Sequence, residues 1–333
     1  MRLRALSIIR NEIDILELFL RHCDALFDEV VLIDHRSFDG STDLMLSAVA
    51  QRPNWRYYKL EPSFYYQEGI VNYFLNQFRN ENFDYFFLLD ADEFVWVRNR
   101  QELEAQLSGT TLAEDEVLGY PWFNAICSNN QKEAFAGKWS RVKVMKSPST
   151  FQKVIIPGNI VREKGVIVSK GNHLAMYQDG TPLQTKHIGR LFHLPIRSRG
   201  QVIRKAITHE FGNLMDLDYR VGNSYQFRIL LQSLIEHNLD ESIMTSSLYL
   251  YHDTDTPSPE WVKAFQSMEM VKSRIGSLGI AFSPALKFKL MTRKLLPLEL
   301  LVADLMVARR SCHSEKLEFE ERGKELSYID DEP

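Results

Sequence analysis

Along the first hundred residues, strand-like apolar stretches alternate with segments of helical period. Leu3 to Ile9 reads as a buried strand, and Arg10-Asn11-Glu12 as the polar turn that closes it. Ile13, Leu16, Leu20 and Cys23 then recur at the spacing of one helix face. Glu29 to Ile33 is a second, β-branched strand that runs into Asp34. The turn-rich stretch from His35 to Asp43 leads into another helix, with Ser41 or Thr42 as N-cap candidates. Trp55 to Leu60 is predicted to be a third strand and Gly69 to Phe78 a third helix. Tyr85 to Leu89 carries five apolar residues without alternation, the mark of a strand covered on both faces. Strand and helix in strict succession with short connections predict an α/β fold, a mostly parallel sheet flanked by helices.

From Val117 onward the pattern shortens. Leu118 to Phe123, Arg141 to Val144 and Phe151 to Ile156 read as strands, with loops at Ser147 to Thr150 and at Pro157-Gly158-Asn159. This looks like an extension of the same sheet and not a second independent domain. Ser198 to His209, Tyr225 to His237, Trp261 to Ile275 and Pro284 to Arg310 carry helical patterns. Ser314 to Pro333 is an acidic tail with the composition of a disordered segment.

Length and composition narrow the choice of function. The chain has 333 residues, enough for one large domain or two smaller ones, and 44% of them are hydrophobic. A net charge of −4 argues against general nucleic-acid binding. Cys23, Cys127 and Cys312 are too few and too scattered for a disulfide framework or a zinc signature, which suggests a reducing compartment. The N-terminal apolar run is too short for a signal peptide, and no stretch is apolar enough to span a membrane. A cytoplasmic protein is the expectation.

The candidate chemistry lies at the strand ends. Asp90-Ala91-Asp92-Glu93-Phe94 places three carboxylates in four positions at the carboxyl end of the fourth strand, where open α/β sheets hold their ligands. A strand ending in a polar turn would also carry acids there, but anions this close together are costly to bury without a cation. Hard oxygen ligands two residues apart suit Mg2+ or Mn2+, which keep waters and bind substrate phosphates as well. Asp34 ends the second strand, and Asp39 lies in the loop after it. No Gly-X-Gly-X-X-Gly follows the first strand and no Gly-Lys-Ser/Thr occurs, so dinucleotide-binding dehydrogenases and P-loop NTPases are disfavoured. His193 follows a short apolar run and precedes Pro195, Arg197 and Ser198. Its imidazole is placed to complete a metal shell begun by Asp92, and Arg197 to pair with a phosphate. The helix from Ser198 would present its N-terminus to an anion.

Taken together, these pieces resemble glycosyltransferases of the GT-A fold, family 2 type, in the subgroup with a DADEF motif. The resemblance rests on Ile9 to Glu12, Ile33 to Ser41, Gln67, Leu88 to Phe94, Phe151 to Val154, Gly171-Asn172-His173 and His193 to Ser198. It covers about residues 3 to 210. It implies a Rossmann-like catalytic domain over 1–215, with a nucleotide-sugar half at 1–97 and an acceptor-side half at 98–215. A helical C-terminal region over 216–313 and the tail at 314–333 would follow. Asn11, Glu12, Asp34, Asp39, Gln67 and Asp90 would then contact the nucleotide-sugar donor. Asp90, Asp92 and His193 would hold Mn2+ or Mg2+. Arg197 would clamp the departing diphosphate, and Glu93, His173 or Glu163 would serve as general base. The implied activity is transfer of one sugar to a glycan or lipid-linked acceptor, with inversion and without processivity. His35-Arg36 stands where the family more often has an acidic or Asn-Gly pair, which leaves the nucleotide base open. Neither a Glu-Asp acceptor motif nor a Gln-X-X-Arg-Trp motif is present, which disfavours a processive synthase.

Two other classes stay open: a sugar nucleotidyltransferase, which would want a glycine-rich phosphate loop after strand one, and a non-catalytic carbohydrate-binding or scaffold protein. Lys287, Lys289, Arg293 and Lys294 precede a leucine-rich stretch ending at Leu301. Residues 287–301 are either a helix packed on the domain with a solvated basic face or a peripheral contact with the inner face of a membrane.

Overall fold

A computed structural model describes residues 1–60, 67–127, 142–145, 147–197, 201, 204–205 and 257–258. The helices expected beyond residue 209, the 287–301 segment, the acidic tail and the boundary at 215 lie outside the described residues. Among those described, no helix is long and apolar enough to cross a membrane.

The first half alternates as expected. Strand β1 (Leu3–Ile9) leads to helix α1 (Ile13–Leu26), β2 (Glu29–His35), α2 (Ser41–Ala50), β3 (Arg56–Leu60), α3 (Gln67–Gln77) and β4 (Tyr85–Leu88). These four strands stand parallel in the order β3-β2-β1-β4. Chain order reverses at β1, which is joined to β2 on one side and β4 on the other. A crevice forms at such a point beyond the carboxyl ends of the strands.

The strands after β4 are β5 (Glu93–Val95), β6 (Glu116–Cys127), β7 (Val142–Met145) and β8 (Gln152–Pro157). They continue with β9 (Val166–Val168), β10 (Ala175–Tyr177), β11 (Gln184–His187), β12 (Leu191–Ile196) and β13 (Pro257–Ser258). Helix α4 (Arg100–Ser108) precedes β6, and α5 (Gly158–Glu163) follows β8. β8 pairs antiparallel with β4 and carries the sheet on to β6 and β7. β12 lies between β6, parallel, and β5, antiparallel. The two halves expected at 1–97 and 98–215 therefore share one continuous sheet, parallel around β1 and mixed beyond β4.

The pleat sorts apolar side chains to two faces. Leu3, Ala5, Ile9, Val30, Leu32 and Phe87 join α1, α2 and α4 in one core. Leu6, Ile8, Val31, Ile33, Phe86 and Leu88 join α3 and α5 in the other. Both faces of β4 are thus covered, as its unbroken apolar run predicts.

Two local expectations are corrected. Neither Ser41 nor Thr42 caps α2. Gly40 holds the cap position at φ 101°, where glycine avoids the Cβ clash, and the two hydroxyls turn to Asp39 and Asp34. Pro157-Gly158-Asn159 is not a loop: Pro157 ends β8 and Gly158 begins α5. Glu93 opens β5, a strand of three residues that gives too little pattern to read.

Gly158 is required where α5 crosses the start of β4. Its N–H donates to the Asp84 carbonyl at 2.8 Å, and a Cβ built there would sit 1.8 Å from the Phe83 carbonyl oxygen. Gly158→Ala should cost about 1–3 kcal/mol through forced backbone movement, seen as a lower midpoint in urea unfolding. An unchanged midpoint would show that the Phe83 segment yields freely.

Candidate active site

The carboxyl ends of β1 and β2 are laced together by short polar contacts. Asn11 stands at φ 57°, and its Oδ1 accepts from the Phe38 N–H at 2.9 Å. The Asn11 N–H donates to Ser37 Oγ at 3.1 Å. Asp34, fully buried, accepts from the Ser37 N–H at 2.8 Å, Thr42 Oγ1 at 2.5 Å and Tyr57 OH at 3.0 Å. Asp39, also fully buried, accepts from the Ser41 N–H and hydroxyl and from the Ile13 N–H at 3.1 Å. Both aspartates thus spend their oxygens on the loops themselves. They shape the wall of the crevice and fix the start of α1; they do not present a carboxylate on its surface.

At the end of β4 the two aspartates of the Asp-X-Asp pair part company. Asp90, with 30% of its side chain exposed, pairs with Lys153 Nζ at 2.6 Å and accepts from Gln67 Nε2 at 3.1 Å. Gln67 opens α3 and also accepts from the Gly171 N–H, so it ties Asp90 to the turn before His173. Glu93 is fully buried behind Asp90. It accepts from the Asp90 N–H at 2.9 Å and lies 3.3 Å from Lys153 Nζ. Burial, aided by Asp90 and Asp92, pushes the Glu93 carboxyl well above the usual range despite Lys153. Lys153 itself is buried, yet its two acidic partners raise its pKa.

Asp92 points the other way, into a buried ionic group. Its Oδ2 pairs with Lys205 Nζ at 2.8 Å and lies 3.5 Å from Arg197 Nη1. Arg197 donates twice to Asp14, at 2.8 and 3.1 Å, and also to Glu12 and to the Leu194 carbonyl. Burial alone would disfavour the Asp92 charge, but Lys205 and Arg197 outweigh it and hold the carboxyl below the ordinary carboxylate range.

On the far side of Asp92 stands His193. Its Nε2 is 3.8 Å from Asp92 Oδ1, and its Nδ1–H donates to Asn124 Oδ1 at 2.7 Å. The ring stacks on Trp122, with centroids 4.2 Å apart. Trp122 meets His173 edge-on at 4.8 Å, and His173 in turn packs on Phe151 at 4.9 Å. The Nδ1–H of His173 donates to the Gln152 carbonyl at 2.6 Å, which leaves the lone pair of the neutral ring on Nε2. Burial, with Lys153 nearby, lowers His173 to about 4, and burial lowers His193 to about 3.

Of the candidate site residues, Glu12, Asp90, Asp92, Glu93, His173, His193 and Arg197 lie around one end of the sheet, with Gln67 beside them. The structure separates their roles more sharply than the sequence could. Arg197, expected to clamp a phosphate, is buried among the carboxylates of Glu12, Asp14 and Asp92. Glu163 ends α5 at the opposite end of the sheet and is exposed, so it is removed as a general base. Asp14, Lys153 and Lys205 were missed. For Lys153 a signal existed: it is the lone charge in the β8 sequence Gln152–Pro157.

Whether a divalent ion fits can be tested on these residues. Two ligands of one ion at about 2.1 Å each stand at most about 4.2 Å apart, so Asp92 Oδ1 and His193 Nε2 can share one. Lys205 is held by the other oxygen, and Mg2+-type ions need only one or two protein ligands beside phosphate and water. Among the described residues, no group of three or more His, Cys, Asp or Glu side chains is arranged around such an ion. Asp90 is turned toward Lys153 instead.

No family model and no curated protein matches this chain. Among solved structures, it is similar to residues 1–349 of TarS from S. aureus, at 12% identity. That match covers 95% of this chain and 92% of the other, with a TM-score of 0.36. It is also similar to the mannosyltransferase PcManGT from Pyrobaculum calidifontis, solved with GDP-Man and Mn2+. Here identity is 14%, coverage 93% and 86%, and the TM-score 0.36. A third is the 4-diphosphocytidyl-2C-methyl-D-erythritol synthase from Anaerococcus prevotii, at 11% identity, 75% and 96% coverage and a TM-score of 0.27. At such scores the chemistry must be taken from this chain's own residues.

The buried imidazoles yield a pH prediction. A histidine whose folded pKa is depressed is held neutral by the fold, so the unfolded chain binds more protons below its ordinary value near 6.5. Stability is then full above that value and declines as pH falls toward the folded one. At pH 5 the rings of His22, His173 and His193 should all be neutral, with folded values of about 3, 4 and 3. Histidine ring NMR shifts followed from pH 8 to 3.5 check this. Midpoints near 6.5 for His173 and His193 would contradict the burial described.

Proposed function

We propose that this chain is a glycosyltransferase that moves a sugar from a nucleotide-diphosphate sugar to an acceptor hydroxyl at the carboxyl end of β4. The carrying observation is the placing of Asp92 Oδ1 and His193 Nε2, 3.8 Å apart, beside the part-exposed Asp90 and its buried partner Lys153, where the strand order reverses. The motif order running from Ile9 to Arg197 supports the same reading. In it, residues 1–215 form the catalytic domain.

Asp92 and His193 would hold Mn2+ or Mg2+, with Asp90 on the donor side of the pair. When bound, the ion supplies Lewis-acid stabilisation of the charge that develops on the departing diphosphate. The protein adds its own cation, Lys153, next to Asp90. Glu93 is a positioning residue: from within the core it fixes the Asp90 backbone and Lys153. Arg197 likewise positions, holding Glu12 and Asp14 of the β1 edge against Asp92. Asp34, Asp39 and Asn11 set the shape of the nucleotide pocket through the loops they tie together.

The acceptor side falls to His173, the remaining general-base candidate with an accessible position. The acceptor oxygen attacks the anomeric carbon as the bond to the diphosphate breaks. The nucleoside diphosphate leaves with the bonding pair, and the hydroxyl proton passes to His173 Nε2. A single displacement of this kind inverts the anomeric centre.

The first test is a thermal-shift screen of nucleoside diphosphates with Mn2+ and with chelator. A ligand at about a hundred times its Kd should stabilise by about 2.7 kcal/mol. We expect a shift with one base, lost with chelator and in Asp92→Asn. A shift that persists in chelator would assign the counter-charge to Lys153 and Lys205 and remove the ion. No shift with any base would favour a binding or scaffold role, and pyrophosphate release from sugar phosphate and NTP would favour a nucleotidyltransferase.

With a donor in hand, His173→Ala should lower kcat by about 10²–10⁴-fold and leave donor affinity unchanged. Wild-type turnover should stay flat down to about pH 5, since the base titrates near 4. A loss of turnover with a midpoint near 6.5 would give the role to another group.

A further inference from the structure

Asp92 has two claims on it. Its Oδ1 stands 3.8 Å from His193 Nε2, the pair suited to share an ion, while its Oδ2 is already held by cations of the chain. Lys205 Nζ lies 2.8 Å from that oxygen and 3.6 Å from Glu12 Oε1. Arg197 Nη1 lies 3.5 Å from the same oxygen. Next to them, Arg204 reaches Asp14 at 3.8 Å and donates to the Asn11 carbonyl at 3.2 Å.

Among the described residues this group is balanced. Glu12, Asp14 and Asp92 stand against Arg197, Arg204 and Lys205. The carboxylates are therefore neutralised by the chain itself. A divalent ion on Asp92 Oδ1 adds two positive charges to a group with little water around it, where an unmatched charge is costly. It would also share one carboxylate with the Lys205 ammonium. Relief comes if a resident cation gives way.

The two cations on Asp92 differ in how readily they can do so. The Arg197 side chain is wholly buried, donates to Asp14 at 2.8 and 3.1 Å, and donates to the Leu194 carbonyl at 3.0 Å. Withdrawing it would leave several buried acceptors unserved. Lys205 is 20% exposed. Its charge is a compact ammonium on a flexible stem, which can turn to water without disturbing the backbone. An arginine fork fixes geometry, whereas a lysine supplies charge that can be exchanged.

We infer that Lys205 is an exchangeable counter-ion for Asp92, which leaves the carboxylate as the divalent ion enters. The inference rests on the reading of Asp92 and His193 as ligands of that ion. Lys205 thus keeps Asp92 paired when no ion is bound and raises the concentration at which the ion loads. It gives the site a threshold set by one side chain.

The test is Mn2+ binding to the full chain without nucleotide, read from the electron paramagnetic resonance signal of free Mn2+. Lys205→Gln retains a donor for Asp92 and removes the charge; Lys205→Arg retains the charge. Lys205→Gln should bind Mn2+ about tenfold or more tighter than wild type, and Lys205→Arg should not. A second measurement needs no variant. Acylation of wild-type lysines, mapped by mass spectrometry, should speed up severalfold at Lys205 when Mn2+ saturates, with half-exposed Lys164 as the reference. Equal or weaker Mn2+ binding by Lys205→Gln would overturn the exchange. So would Mn2+ binding to wild type with Lys205 labelling unchanged, and this result decides the matter if Lys205→Gln does not fold. Thermal shifts with Mn2+ and UDP, GDP, CDP or ADP are run in parallel. A nucleotide shift in wild type, without the gain of Mn2+ affinity in Lys205→Gln, would remove the exchange and leave the donor site standing. A nucleotide shift lost in Lys205→Gln, again without that gain, would make Lys205 a phosphate ligand instead. Neither Mn2+ binding nor a nucleotide shift in any of the proteins would remove the metal-dependent reading and the exchange with it.

Discussion

Five carboxylates crowd the sheet edge beyond β1 and β4: Glu12, Asp14, Asp90, Asp92 and Glu93. Left uncompensated, that much buried negative charge would not tolerate folding. Four cations from distant parts of the chain resolve it. Lys153 comes from β8 to Asp90 and Glu93, Arg197 follows β12 to meet Glu12, Asp14 and Asp92, Arg204 meets Asp14, and Lys205 joins Asp92 and Glu12. The mixed second half of the sheet is thus tied by charge to the parallel first half at the carboxyl ends of β1 and β4. The cost of assembling these charges is offset by their mutual attraction, and the surplus polarity is available for chemistry.

Compensation divides the acidic motif into two working sides. Asp92 faces His193 and the buried ionic group, whereas Asp90 faces Lys153 and partial solvent. The aromatic stack of His193, Trp122, His173 and Phe151 runs from one side of the crevice to the surface. One strand, β6, supplies both Trp122 and Asn124, so the ring His193 stacks on and the oxygen that orients its Nδ1–H come as a unit. Second partners of this type set the direction in which an imidazole presents its remaining nitrogen.

Much of the frame was legible in the residues, and the reasons are physical. β1, β2 and β4 are covered on two faces, so their sequences show unbroken apolar runs, and α1 and α3 show one-face periodicity. The position of Asp90 and Asp92 at a strand end followed directly from the run before them. The partners did not. Lys153 is 63 residues from Asp90 and Lys205 is 113 from Asp92, and no local pattern encodes such pairings. Asp34 and Asp39 were expected near the nucleotide because the resemblance to GT-A glycosyltransferases implies it. Their burial depends on hydroxyls of Ser41, Thr42 and Tyr57, whose orientation no periodicity reveals. β5 escaped notice because three residues are too few to show a period, yet it is what turns Glu93 inward.

Whether the crevice is a donor site is decided most directly by locating an ion in it. Crystals of the full chain grown with Mn2+ and a nucleoside diphosphate would give an anomalous manganese signal of unambiguous position. The proposed donor site predicts that signal against Asp92 and His193, with the diphosphate next to it and Asp90 alongside. Manganese bound elsewhere, or a nucleotide seated away from the carboxyl ends of β1 and β4, would contradict it.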